Sequence, residues 1–129
     1  MLSKKIKDIM ETNVITVDSS EDVVFAFEKL MKNKISAMPV MEDDKMVGII
    51  TATDLGHNLI LDKYELGTPV CDVMVKNVVS ISSDKNLKDA IKVMKDSAPE
   101  EGIINQLPVV EEGSLIGIIS DGDILKAIS

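Results

Sequence analysis

Two short spacings in this chain could do chemistry at a polar ligand: Thr51-x-x-Asp54 and Ser120-x-x-Asp123. Each sets a hydroxyl three residues ahead of a carboxylate, where an apolar run containing Gly48 or Gly117 gives way to a helical pattern. This is the spacing of a capping box, in which the two side chains satisfy backbone N–H groups at a helix start. It also puts them at a helix N-terminus, where unpaired N–H groups and the helix dipole favour an anion. Two basic residues stand nearby in sequence. His57 follows Asp54 by one helical turn on the same face, and Lys34 immediately precedes Ile35. Metal and nucleophilic chemistry lack their parts. One His and one Cys cannot close a zinc site, and Cys71 has no His close in sequence, so it reads as an inert, buried thiol.

Composition narrows the partners. The 129 residues carry 14 basic and 22 acidic side chains, a formal net charge of −8, and every basic residue is Lys. That balance repels phosphate backbones, and without Arg there is no bidentate contact to guanine. Phe25, Phe27 and Tyr64 are too few aromatics for a base-stacking platform. Nucleic acid is therefore not an expected partner. Neither is a membrane, because apolar runs such as Met46–Ile50 are too short to span a bilayer. Met1–Met10 lacks the apolar stretch of a signal peptide. With a single cysteine, the expectation is a cytoplasmic chain.

The elements that must position these residues come in two copies. Met10, Asn13, Val17 and Ala26 recur 64 residues later as Met74, Asn77, Ile81 and Ala90. Ile35, Pro39-Val40, Gly48-Ile49-Ile50 and Asp54 recur 69 residues later as Ile104, Pro108-Val109, Gly117-Ile118-Ile119 and Asp123. The change of offset places a five-residue insertion around Ser97–Gly102, whose Pro99 and Gly102 predict a loop. Each copy reads β-α-β-β-α. Val14–Val17 and Val78–Ile81 are short β-rich runs. A helix follows, with Ser19 and Asp22 as a capping box and Val23, Phe27, Leu30 and Met31 as its apolar stripe; Leu87, Ala90, Ile91 and Met94 match it. Pro39–Met41 and Met46–Thr51 form a hairpin through Glu42-Asp43-Asp44, and Pro108–Val110 and Leu115–Ser120 form the other through Gly113. Last come helices from Ala52 to about Leu61 and from Asp121 to about Ile128. Short helical segments precede the copies, Ser3–Met10 and Thr68–Met74, the latter with Thr68 as N-cap and Pro69 at N1. The expected domains are residues 1–64 and 65–129. One copy alone would be marginal by surface scaling, so the expected fold is α+β: two pseudo-twofold repeats packed through their sheets.

This plan resembles a tandem pair of CBS domains, a Bateman module. Ile35-Ser36-Ala37-Met38-Pro39-Val40 with Val47-Gly48-Ile49-Ile50-Thr51-Ala52-Thr53-Asp54 carries the resemblance in the first copy. Ile104-Asn105-Gln106-Leu107-Pro108-Val109 with Ile116-Gly117-Ile118-Ile119-Ser120-Asp121-Gly122-Asp123 carries it in the second. The resemblance implies a regulatory module with no catalytic residues and no resident cofactor. It would sense an adenosine-containing molecule (AMP, ADP, ATP, S-adenosylmethionine or NAD) in clefts between the repeats, form a homodimer and signal to a separate effector protein. The alternative is a structural dimerisation protein with degenerate pockets.

Carried onto this chain, the resemblance gives Thr51, Asp54, Ser120 and Asp123 to the ribose. It gives Ile35, Ala37, Met38 and Pro39, with Ile104, Gln106, Leu107 and Pro108, to the adenine, and Lys34 and His57 to the phosphate. Met38 and Leu107 equally suit a buried strand start, whereas Gln106 could pair with an adenine edge. Ile103 stands in the second copy where Lys34 stands in the first, and the insertion brings Glu100-Glu101. The second site is thus expected to be less hospitable to phosphate. Without Arg there is no guanidinium clamp, so AMP, ADP or a neutral-to-cationic adenosine ligand is expected over ATP.

Overall fold

The computed structural model describes residues 2–60, 67–97 and 104–129. The expected loop insertion with Glu100-Glu101, together with Ile103, Tyr64 and the helix end at Leu61, lies outside the described residues. The fold is α+β, and the chain divides into two compact units: residues 15–78, and residues 1–14 with 79–129.

In the unit of residues 15–78, β1 (Val17–Asp18) runs parallel to β2 (Ala37–Glu42), which pairs antiparallel with β3 (Lys45–Thr51). Helix α1 (Val23–Asn33) lies between β1 and β2, and α2 (Ala52–Ile60) follows β3 directly. The core gathers Val17, Val23, Ala26, Leu30, Met38, Val40, Ile50, Leu55 and Val70. In the other unit, β4 (Gln106–Glu111) pairs with β5 (Ser114–Ser120), and α3 (Leu87–Asp96) and α4 (Asp121–Ile128) correspond to α1 and α2. The run expected as a strand over 78–81 is reduced to a single parallel bridge, Ile81 with Val109. Both hairpins close through two-residue turns, since Glu42 pairs with Lys45 and Glu111 with Ser114. Asp43 (φ 50°), Asp44 (φ 66°), Glu112 (φ 49°) and Gly113 (φ 81°) take the left-handed conformations that such turns require.

Several local expectations are corrected. Helix α1 is capped by Asp22 alone, whose carboxylate accepts from the Val24 N–H at 2.7 Å. Ser19 lies ahead of the cap, and its Oγ donates instead to Glu42 at 3.0 Å. The buried stripe of α1 is Val23, Ala26 and Leu30, while Phe27 is half-buried and Met31 exposed, because the helix rotates Ala26 rather than Met31 onto the sheet. Helix α3 carries a full capping box, Asn86 with Asp89. The segments before the repeats are single 3-10 turns, Ile6–Asp8 and Val70–Asp72, the second with Pro69 rather than Thr68 at its N-cap.

The two short segments exchange places. Residues 1–14 precede the first sequence repeat but pack with residues 79–129, and the segment through Val75 that precedes the second repeat packs with the first. Each works as a strap. Ile6 and Val70 are fully buried in the two cores. The Lys4 carbonyl accepts from the Leu87 N–H at 3.0 Å, and the Thr68 carbonyl from the Val23 N–H at 3.0 Å, so each strap satisfies an N–H at the start of a helix. Further on, Glu11 and Ile118 exchange two backbone hydrogen bonds of 2.9 Å, and Val75 and Ile49 two of 3.0 Å, which extends each sheet by one bridge.

The straps cross the sheets at glycine. A β-carbon on Gly48 would stand 2.5 Å from Sδ of Met74 and 2.9 Å from the Val75 carbonyl oxygen. One on Gly117 would stand 2.6 Å from Sδ of Met10 and 3.1 Å from the Glu11 carbonyl oxygen. Overpacking of this kind costs roughly 1–3 kcal/mol. Gly48→Ala and Gly117→Ala should each lower the urea-unfolding free energy by about that much, and Met74→Ala should restore part of the Gly48→Ala loss.

Candidate functional site

In each unit the strand that starts the hairpin and the helix that follows it meet at one corner. Ala37 is in register with Thr51, and the Ala52 N–H donates to the Ser36 carbonyl at 2.8 Å. Gln106 is in register with Ser120, and the Asp121 N–H donates to the Asn105 carbonyl at 2.9 Å. The residues expected at the adenine and those expected at the ribose, far apart in sequence terms, are thereby brought side by side twice.

The helix starts behave as their spacing predicts. Ser120 Oγ accepts from the Asp123 N–H at 3.1 Å, while the Asp123 carboxylate accepts from the Ser120 N–H at 2.9 Å, completing a capping box. Thr51 Oγ1 accepts from the Asp54 N–H at 3.1 Å. Asp54 is exposed and Asp123 half-buried. The Asp123 carboxylate is thereby drawn back onto the backbone of its own helix start.

The other expected residues divide by burial. Met38 and Leu107 have no exposed surface and belong to the two cores, so their side chains build the strands and do not face a ligand. Ala37, Pro39 and Pro108 are also buried. Ile35, Ile104 and Gln106 are half-buried. Lys34 ends α1 in the left-handed conformation (φ 54°), its N–H bonded to the Met31 carbonyl at 3.2 Å and its side chain exposed. His57 is exposed on α2. Among the described residues no group of three His, Cys, Asp or Glu side chains could hold a metal ion. No helix among the described residues is long and apolar enough to cross a membrane.

A pair of ties went unread in the sequence. Ser19 Oγ donates to Glu42, and Ser83 donates to Glu111 from both Oγ (2.6 Å) and N–H (2.7 Å). The signal was present, since Ser19 and Ser83 are 64 apart and Glu42 and Glu111 are 69 apart, the repeat offsets themselves. These ties fasten the loop before α1 or α3 to the end of the neighbouring strand. The Ser83 hydroxyl, and then its N–H, hold the Glu111 carboxyl below its ordinary value of 4.5.

Comparison with known proteins places the chain. The CBS-domain family model matches residues 6–59 and 70–129, and the chain belongs to that family as a tandem pair. YhcV, a CBS domain-containing protein of Bacillus subtilis, is 29% identical over 119 residues, covering 92% of this chain and 81% of that one. Uncharacterized protein MJ1225 of Methanocaldococcus jannaschii is 29% identical over 128 residues; the match covers 98% of this chain but only 44% of that protein. The CBS domain pair of protein MJ0100, solved with 5′-methylthioadenosine and S-adenosyl-L-methionine, superposes with a TM-score of 0.81 at 28% identity, covering 97% of this chain and 95% of that one. CBSX2, solved in complex with AMP, superposes with a TM-score of 0.80 at 29% identity, covering 96% and 95%.

Two outcomes follow. Ser120→Ala should cost about 1 kcal/mol of stability through the lost cap, read by urea denaturation. A group whose folded pKa is depressed stabilises the fold above its unfolded value and loses that contribution as pH falls through the folded one. Glu111 should therefore contribute fully at neutral pH and lose its contribution below about pH 4.5. Glu111→Gln should flatten that part of the acid-unfolding curve.

Proposed function

We propose that this CBS pair is a regulatory module that binds an adenosine-containing molecule and passes its occupancy to a separate effector protein. The observation that carries this reading is the doubled corner, where Ala37 meets Thr51 and Gln106 meets Ser120. At each corner a strand start can hold a purine by apolar contact and backbone hydrogen bonds. The carboxylate one step away, Asp54 or Asp123, can accept the two ribose hydroxyl protons. The MJ0100 and CBSX2 complexes support the ligand class, because both hold adenosine compounds on this fold. Within that class we favour AMP or a neutral-to-cationic adenosine compound, since the chain has no Arg to clamp a phosphate. The first corner, with its exposed Asp54 and neighbouring Lys34 and His57, is assigned the phosphate-bearing ligand. The ligand acts as an effector and not as a resident cofactor, and the chain is assigned no catalytic step. The module works in the cytoplasm.

We further assign the protein to a homodimer. Ile60 is 85% exposed and Leu125 62% exposed, on the equivalent helices α2 and α4, and large aliphatic side chains left this open are common at subunit contacts. The same feature favours the second reading, a module that only dimerises.

Thermal shift separates the two readings. A ligand at a hundred times its dissociation constant stabilises the folded state by about 2.7 kcal/mol. AMP, 5′-methylthioadenosine or S-adenosylmethionine should raise the melting temperature of the wild type, and the rise should shrink in Asp54→Ala and vanish in Asp54→Ala/Asp123→Ala. An equal rise in the double variant would remove the carboxylates from the site. No rise with any adenosine compound would leave the dimerisation reading.

A further inference from the structure

The eight methionines of the chain are not equivalent. Met38 and Met94, in the two cores, are 0% and 3% exposed, whereas Met31 is exposed on α1. Met10 and Met74 fall between. Each is half-buried, and each lies in a strap with its sulfur against the glycine that the strap crosses. They stand 64 residues apart, the repeat offset, so the same contact is built twice. Oxidation of a methionine turns a flexible apolar side chain into a polar one and disrupts contacts of this kind.

The chemistry needs only a peroxide. The methionine sulfur attacks one peroxide oxygen, and the S–O bond forms as the O–O bond breaks. The leaving hydroxide takes the proton of the transferred oxygen and becomes water. Sulfur is oxidised by two electrons and the peroxide is reduced by the same two. The product is a sulfoxide, bulkier and more polar at Sδ. Neither property suits the crossing. A methyl group on Gly48 would stand 2.5 Å from Sδ of Met74, and one on Gly117 would stand 2.6 Å from Sδ of Met10. The backbone donors beside the glycine are already used. The Ile49 and Val75 N–H groups serve each other's carbonyls at 3.0 Å, and those of Ile118 and Glu11 do so at 2.9 Å.

We propose that Met10 and Met74 are peroxide-oxidation sites, and that their conversion to sulfoxide lifts each strap from its sheet. The strap rises so that the new oxygen reaches water, and the two backbone hydrogen bonds beside the glycine open with it. The effect is local. Oxidised Met74 frees Ile49 and Val75, and oxidised Met10 frees Ile118 and Glu11. Each strap stays tethered by Val70 or Ile6 in its core, so the change reverses when a methionine sulfoxide reductase removes the oxygen. The flank of β3 or β5 is released two residues before Thr51 or Ser120. The device depends on no ligand, and its failure would leave the adenosine reading intact.

The test is amide hydrogen exchange on the full chain before and after treatment with hydrogen peroxide, with the sulfoxides located by peptide mass spectrometry. Treatment should convert Met31, Met10 and Met74 while Met38 and Met94 stay reduced. Exchange at the Ile49, Val75, Glu11 and Ile118 amides should then quicken roughly tenfold, within the range that overpacking a close contact costs. It should slow again after treatment with methionine sulfoxide reductases. In Met10→Leu/Met74→Leu, which keeps every other methionine, the same peroxide should leave these amides unchanged. If the double variant does not fold, the single variants decide: Met74→Leu must protect Ile49 and Val75 alone, and Met10→Leu must protect Ile118 and Glu11 alone. Three results would overturn the proposal: unchanged exchange with both sulfoxides in place, an equal quickening in the leucine variants, or Met10 and Met74 still reduced when Met31 is fully converted.

Discussion

The close passage of a methionine-bearing strap over a glycine is the contact on which the rest of this structure depends. Gly48 and Gly117 occupy the middle of β3 and β5, where any side chain would collide with Met74 or Met10 and with the strap backbone. Their bare backbones let the strap come near enough to exchange two hydrogen bonds with the next residue, Ile49 or Ile118. The strap then runs back to bury Val70 or Ile6 and to accept an N–H at the start of α1 or α3. One segment thus joins the sheet, the core and a helix start, and each compact unit is completed by residues that precede the other sequence repeat.

This arrangement bears on the candidate site through β3 and β5. Both strands are held on each side, by β2 or β4 and by a strap, up to Ile49 or Ile118. They then run two residues further to Thr51 or Ser120, where the chain turns directly into a helix. A strand fixed on both flanks gives that helix start a set direction, and a capping hydroxyl placed there fixes where the following carboxylate stands. The candidate corner is in this sense built by the strap, although no strap residue belongs to it.

Much of this was legible in the residues. Repeat offsets of 64 and 69 located the hairpins, the helices after them and both hydroxyl–carboxylate pairs, because these depend on local spacing. What the spacing could not carry was which partner each segment takes. Met10 and Met74 repeat in register with their glycines, yet a strap on its own repeat and a strap on the other give identical sequence patterns. Ser19 was read as a cap because its distance from Asp22 is right for one; the pull of Glu42 across the sheet is a tertiary effect that moved it. Met38 and Leu107 illustrate the same limit at the site. A resemblance assigns a position along a strand, but the pleat decides that these side chains go inward.

The two units are alike in frame and unlike in surface. The Asp123 carboxylate is folded back into its cap, and Lys29 donates to the Thr16 carbonyl where the second unit has Val93 and Ser80. The central claim is that the doubled corner holds an adenosine compound, and native mass spectrometry of the purified protein with added AMP tests it most directly. The account predicts a discrete mass gain of one or two nucleotides per chain, lost in the variant lacking both carboxylates. A spectrum with no gain from AMP, 5′-methylthioadenosine or S-adenosylmethionine would contradict it.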